Sequence, residues 1–137
     1  RLQSAIQWLA SEETTQDLPL GLFGASTGGA AALVAAARMV DRVGAVVSRG
    51  GRPDLAGADL PRVRAPTLLV VGGHDDVVIG LNQQAMAQMT AAVRLEIVPR
   101  ATHLFEEPGA LEEVARLARE WFVAHLLDTS KSRQRQS

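Results

Sequence analysis

There is no cysteine among the 137 residues, which excludes a disulfide framework and any thiolate metal site. That absence suits a reducing compartment, and a cytoplasmic location is expected. No apolar run is long enough to cross a bilayer, and the N-terminus lacks the basic and apolar regions of a signal peptide, so no membrane partner is expected. Charge of either sign is not in excess: 14 Lys+Arg stand against 15 Asp+Glu, a net charge of -1. No global field therefore recruits nucleic acid or an anionic surface. The glycine turn at 24–29 contains no G-x-G-x-x-G and is followed by no lysine, which argues against a nucleotide phosphate there. Internal repeats are also lacking.

With 47% hydrophobic residues, the chain has enough apolar material for one domain with a sizeable core and too little length for two. The domain is expected over 1–127. Residues 128–137 carry Lys131, Arg133 and Arg135 among Ser and Gln without apolar periodicity, and are expected to be a disordered tail. The chain starts at Arg1 and passes directly into Leu2, Ile6 and Leu9 at helical spacing, which reads as a piece cut from a longer protein.

Short apolar runs alternate with helical patterns. Leu2 to Ser11 reads as an amphipathic helix, Leu18 to Phe23 as a buried strand, and the alanine-rich Ala30 to Ala37 as a helix. Val43 to Val47 is a second strand. Ser48 to Arg64, with Gly50, Gly51, Pro53, Gly57 and Pro61, is an irregular connection placed to line a cleft. Thr67 to Val71 is a third strand without polar alternation, as in a parallel sheet covered on both faces. A helix with Leu81, Ala85 and Met89 on one face follows, then a strand from Arg94 to Val98 that Pro99 stops. The last helix starts near Pro108, places Glu112 and Glu113 in its first turn, and turns Leu111, Val114, Leu117, Ala118, Trp121 and Phe122 inward. This order predicts an α/β fold, a mostly parallel sheet flanked by helices, with ligands held beyond the strands' carboxyl ends. The Leu18 to Phe23 strand is expected at an open sheet edge that invites pairing with another chain, making a homo-oligomer an expected assembly.

Gly24, Ser26 and Gly28 form G-x-S-x-G between a predicted strand and a predicted helix, the setting of a nucleophile elbow. A serine raised on so tight a turn is strained, and glycines two positions either side remove collisions with the neighbouring strand and helix. The N-terminus of the following helix directs free N–H groups at a developing oxyanion, with Thr27 N–H as the first donor. His103, in the loop after the fourth strand, has a side chain suited to accept and return a proton near neutrality. Asp75 and Asp76 follow the third strand, and spacing alone leaves either as the acid that orients His103. Each could instead be an ordinary turn residue. His74, Asp75 and Asp76 do not suggest a metal, because adjacent side chains on one extended segment point in different directions. His125, late in the last helix, reads as structural. The order Ser26, Asp75, His103 matches α/β hydrolases and neither chymotrypsin-like nor subtilisin-like proteases.

On these residues the chain resembles the α/β-hydrolase superfamily, and within it the dienelactone hydrolase-like proteins, from Leu2 to Leu127. GLFGASTGGAAAL resembles the nucleophile elbow, LLVVGGHDDVV the strand and turn bearing the acid, and ATHLFEEPGALEEV the histidine loop and final helix. The resemblance gives the acid's place to Asp75. It is also similar to the C-terminal portion of relatives fused behind a phosphoribosyltransferase domain. Two departures qualify what carries over. Dienelactone hydrolases proper use a cysteine nucleophile, where this chain has Ser26. The resemblance further implies upstream strands, with a second oxyanion donor, before Arg1. The expected function is a cofactor-free serine hydrolase acting on a small-molecule ester or thioester. The alternative is a noncatalytic module for binding or dimerisation within a larger protein.

Overall fold

The computed structural model describes residues 19–127. The predicted helix Leu2 to Ser11 and the predicted tail 128–137 lie outside the described residues. Strands and helical segments alternate: β1 (Leu20–Ala25), α1 (Thr27–Arg38), β2 (Val43–Arg49), a 3-10 segment (Pro53–Arg62), β3 (Thr67–Gly72), α2 (Asp76–Gln88), β4 (Val93–Val98) and α3 (Ala110–Phe122). A π-helical turn, Val123–Leu127, extends α3.

All strand pairs are parallel, and the spatial order β1-β2-β3-β4 is the chain order. Side chains alternate between the two faces of a strand. Val46 therefore joins a core with Leu33, Ala36, Leu60 and Val63 from α1 and the 3-10 region, while Val47 joins a second with Leu68, Val70, Phe105, Val114 and Ala118 beneath α3. A sheet sandwiched in this way explains why β3 is buried at every position. Each fully buried Val or Leu contributes about 1.5–3 kcal/mol relative to an exposed one.

The outer strands are less covered. Phe23 in β1 is 49% exposed, so this strand is not buried throughout as expected. Among the described residues it lies at one edge of the sheet, as expected, and the C-terminal end of α3 covers only part of the face that Gly21 shares with Phe23. Gly21 there packs beneath Phe122.

Three further expectations change. The Ser48 to Arg64 connection is more regular than expected: β2 runs on to Arg49, and Ala56 and Leu60 bury themselves against α1. The buried face of α2 is Val78, Asn82 and Ala85, with Leu81 only half-buried and Met89 just past the helix end. In α3, Leu111 is 50% exposed. At 3.6 residues per turn it falls at the margin of the stripe formed by Ala110, Val114, Leu117 and Trp121. Trp121 adds an anchor by donating its Nε1–H to the Pro66 carbonyl at 3.2 Å.

Asn82 is fully buried and donates from Nδ2 to the Gly51 carbonyl at 3.1 Å and to the Val78 carbonyl at 2.7 Å. It ties α2 to the segment after β2. Truncating it leaves the buried Gly51 carbonyl without that donor, so Asn82→Ala is expected to destabilise the chain by about 1–3 kcal/mol, read as a lowered urea midpoint.

Candidate active site

The turn from β1 into α1 takes one residue. Ser26 adopts φ 53°, ψ -121°, a region that a non-glycine residue enters only under constraint. Three backbone bonds supply it. Ser26 N–H donates to the Arg49 carbonyl at 3.1 Å, and the Ser26 carbonyl accepts from Gly29 N–H at 3.0 Å and Arg52 N–H at 3.2 Å. The serine is thus held from the β2 side as well as from its own helix.

Gly24 is needed for clearance: a Cβ there would fall on the Gly28 carbonyl group and 2.7 Å from the Gly29 nitrogen. Gly28 is not needed in this way. No described atom lies within 4 Å of where its Cβ would be, because that position on the first turn of α1 faces open space. The steric expectation for the second glycine of the motif is corrected accordingly. Thr27 is the first residue of α1, so its N–H has no acceptor within the helix and sits at the positive end of the helix dipole.

The loops after β3 and β4 meet beside this turn. Gly73 N–H donates to the Val98 carbonyl at 2.8 Å and His74 N–H to the Ala101 carbonyl at 3.0 Å, which fastens one loop to the other. Asp75 precedes α2 as its cap residue and Asp76 opens the helix. His103 Nδ1 lies 2.9 Å from Asp75 Oδ2, and His103 Nε2 lies 3.0 Å from Ser26 Oγ. An imidazole protonated on Nδ1 donates to Asp75 and accepts the Ser26 hydroxyl proton at Nε2. The Asp75 side chain is 16% exposed and that of His103 41%. Asp76 and His74 are exposed and outside this chain of bonds. His125 instead stacks at a tilt on Trp121, with ring centroids 4.1 Å apart.

Two features around His103 escaped the sequence. Gly50, at φ 53°, lies under the histidine: a Cβ there would be 3.2 Å from the His103 carbonyl oxygen and 3.4 Å from Nδ1. The available signal was a glycine pair directly after a buried strand, at the end of the sheet where ligands bind. The other feature is a clasp in which Thr102 Oγ1 and Thr102 N–H both donate to Glu107 Oε1, at 2.6 and 3.1 Å. It closes the loop that carries His103. Phe105, buried at φ 56°, anchors the same loop under the Arg49 guanidinium, which lies 5.5 Å from the ring centroid.

A parallel sheet with a strained serine between strand and helix, an acid after a later strand and a histidine after the next defines the α/β-hydrolase class. Solved structures agree in fold. A dienelactone hydrolase from Anabaena variabilis superposes with a TM-score of 0.88 at 60% identity, over 91% of this chain and 58% of that one. An esterase domain from Rhodothermus marinus superposes with a TM-score of 0.75 at 18% identity, over 91% and 68%, and that likeness concerns the fold alone.

The family model for the dienelactone hydrolase family matches residues 1–127, and the chain belongs to that family. Putative phosphoribosyl transferases from two strains of Mycobacterium tuberculosis are 60% identical over 126 residues, which is 92% of this chain and 28% of each relative. The chain thus spans less than a third of those relatives, and their designation agrees with the expected fusion to a phosphoribosyltransferase. Among the described residues no helix is long and apolar enough to cross a membrane.

The Thr102 hydroxyl bond, followed by a backbone bond at Glu107 itself, holds the Glu107 carboxyl below its ordinary value of 4.5. A carboxyl lowered on folding adds stability that is fully present above pH 4.5 and lost as pH falls through the lowered value. Glu107→Gln is therefore expected to flatten the acid limb of a plot of thermal midpoint against pH and to leave its neutral region less affected.

Proposed function

We propose that this chain holds the catalytic centre of a serine hydrolase that cleaves a small-molecule ester or thioester through an acyl-serine intermediate. The observation that carries the reading is the continuous bond path from Ser26 Oγ through the His103 ring to Asp75 Oδ2, with both steps within 3.0 Å. In the proposed reaction Ser26 Oγ attacks the substrate carbonyl carbon while His103 Nε2 takes its proton. Asp75 keeps Nδ1 protonated and stabilises the imidazolium. The tetrahedral intermediate collapses, His103 returns the proton to the leaving alcohol or thiol, and water repeats the cycle on the acyl-serine.

Thr27 N–H is the oxyanion donor supplied by this chain. Hydrolases of this fold take a second donor from a loop upstream of the nucleophile strand, and losing one donor costs on the order of a hundredfold in turnover. Full activity is therefore expected only where such a second donor is present. Without cysteine, serine is the only nucleophile that the elbow offers, and lactone specificity is not transferred from thiol-dependent relatives. The chemistry needs no cofactor, and a cysteine-free chain fits a cytoplasmic setting.

A fluorophosphonate is the direct probe. Intact mass and peptide mapping are expected to place one adduct on Ser26, absent in Ser26→Ala. On a small chromogenic ester, Asp75→Asn is expected to lower turnover by roughly 10⁴-fold, and Asp76→Asn only a few-fold. An adduct elsewhere, or greater damage from Asp76→Asn, overturns the assignment. No adduct, either on this chain or on one extended upstream to supply the second donor, favours the noncatalytic binding module.

A further inference from the structure

Among the described residues β4 is the outermost strand of the sheet, with β3 on one side of it only. The Ala92 and Val98 carbonyls turn towards β3, accepting from Thr67 N–H at 2.9 Å and Gly73 N–H at 2.8 Å. Backbone groups alternate in direction along a strand, so those of Arg94 and Glu96 turn the same way, and the N–H and C=O groups of Val93, Leu95 and Ile97 face outward. The side chains sort onto two faces. Arg94 and Glu96 line a groove of about 510 Å³ together with Glu113, Arg116 and Trp121 of α3, and none of the residues joining Ser26 to Asp75 belongs to it. Val93, Leu95 and Ile97 share the opposite face, where Ile97 is 44% exposed. Within the strand, Arg94 Nε lies 2.7 Å from Glu96 Oε1.

We propose that β4 pairs antiparallel with β4 of a second copy of this chain, about a two-fold axis at Leu95. The backbone restricts the choice of register, because outward-facing residues must oppose outward-facing residues. A register centred on Arg94 sets two guanidinium groups against each other, and one centred on Glu96 sets two carboxylates. Centring on Leu95 places Arg94 opposite Glu96 of the partner subunit, and Glu96 opposite the partner's Arg94. These are non-hydrogen-bonded pairs, in which facing Cα atoms approach to about 4.5 Å and side chains interact most closely. Every outward group of Val93, Leu95 and Ile97 then finds an acceptor or donor. On the other face Val93 meets the partner's Ile97, and Leu95 meets the partner's Leu95.

Charges on an edge strand ordinarily discourage pairing. Here opposite signs two residues apart make the edge complementary to itself, as an isologous dimer requires. The assembly joins two sheets edge to edge at the strand farthest from β1, so both copies of the Ser26 turn stay clear of it.

Sedimentation equilibrium of the 137-residue chain at tens of micromolar is expected to show a dimer. Arg94→Glu or Glu96→Arg sets like charges opposite each other at both symmetric positions and is expected to raise the dimer Kd about tenfold or more. The double variant restores the opposition of signs, and dimerisation with it. Circular dichroism establishes that each variant is folded.

The absence of cysteine allows a second measurement. Facing Cα atoms at the two-fold are about 5.5 Å apart, within disulfide range. Leu95→Cys is expected to oxidise with glutathione disulfide to a covalent dimer at least about tenfold faster than Val93→Cys, which opposes Ile97 instead. A monomeric parent chain, a dimer unaffected by Arg94→Glu, or equal cross-linking of the two cysteine variants overturns the proposal.

Discussion

The backbone of Ser26, held at positive φ by bonds to three other residues, is the constraint around which the site is arranged. Strain of this kind costs on the order of 1–3 kcal/mol and persists only where its surroundings enforce it. Besides Gly29 of its own helix, the Arg49 carbonyl at the end of β2 and the Arg52 N–H just beyond it grip the serine. The same stretch supplies Gly50 beneath the histidine and the Gly51 carbonyl held by Asn82. The segment from Arg49 to Arg52 therefore couples the nucleophile turn, the histidine loop and α2, although none of its side chains lies on the bond path from Ser26 to Asp75.

Much of this was legible in the sequence, because the parts with a strong local signal are those whose chemistry is local. G-x-S-x-G marks a turn through backbone demands that only a few residue types meet, and continuous apolar runs mark strands covered on both sides. Those signals placed four parallel strands, with Ser26 after the first, the Asp75–Asp76 pair after the third and His103 after the fourth. The choice of Asp75 over Asp76 needed the family resemblance. In the structure Asp75 stands just before α2 with its carboxylate on the His103 ring, and Asp76 lies in the exposed first turn.

What the sequence did not disclose depends on tertiary neighbours. Asn82 is polar and buried, and one of its two acceptors, the Gly51 carbonyl, lies 31 residues away. Gly50 looked like loop punctuation because the ring it accommodates is far along the chain. Leu111 was taken as core since it is apolar, yet its angle around α3 leaves it half exposed. The motif suggests one steric duty for Gly24 and Gly28 alike, but only at Gly24 would a Cβ collide, with the backbone of the first turn of α1. Periodicity gives a face its direction, and partners decide how wide that face becomes.

Because spatial and sequential strand order coincide among the described residues, β2, β3 and β4 each pair with the strand made immediately before. Each such pairing still spans a crossover of roughly twenty residues, which is a slow step for a parallel sheet. The bond between Ser26 and His103, by contrast, joins residues 77 positions apart and waits for the last strand. In a chain made from its N-terminus, the serine turn therefore exists well before the imidazole that bonds to it.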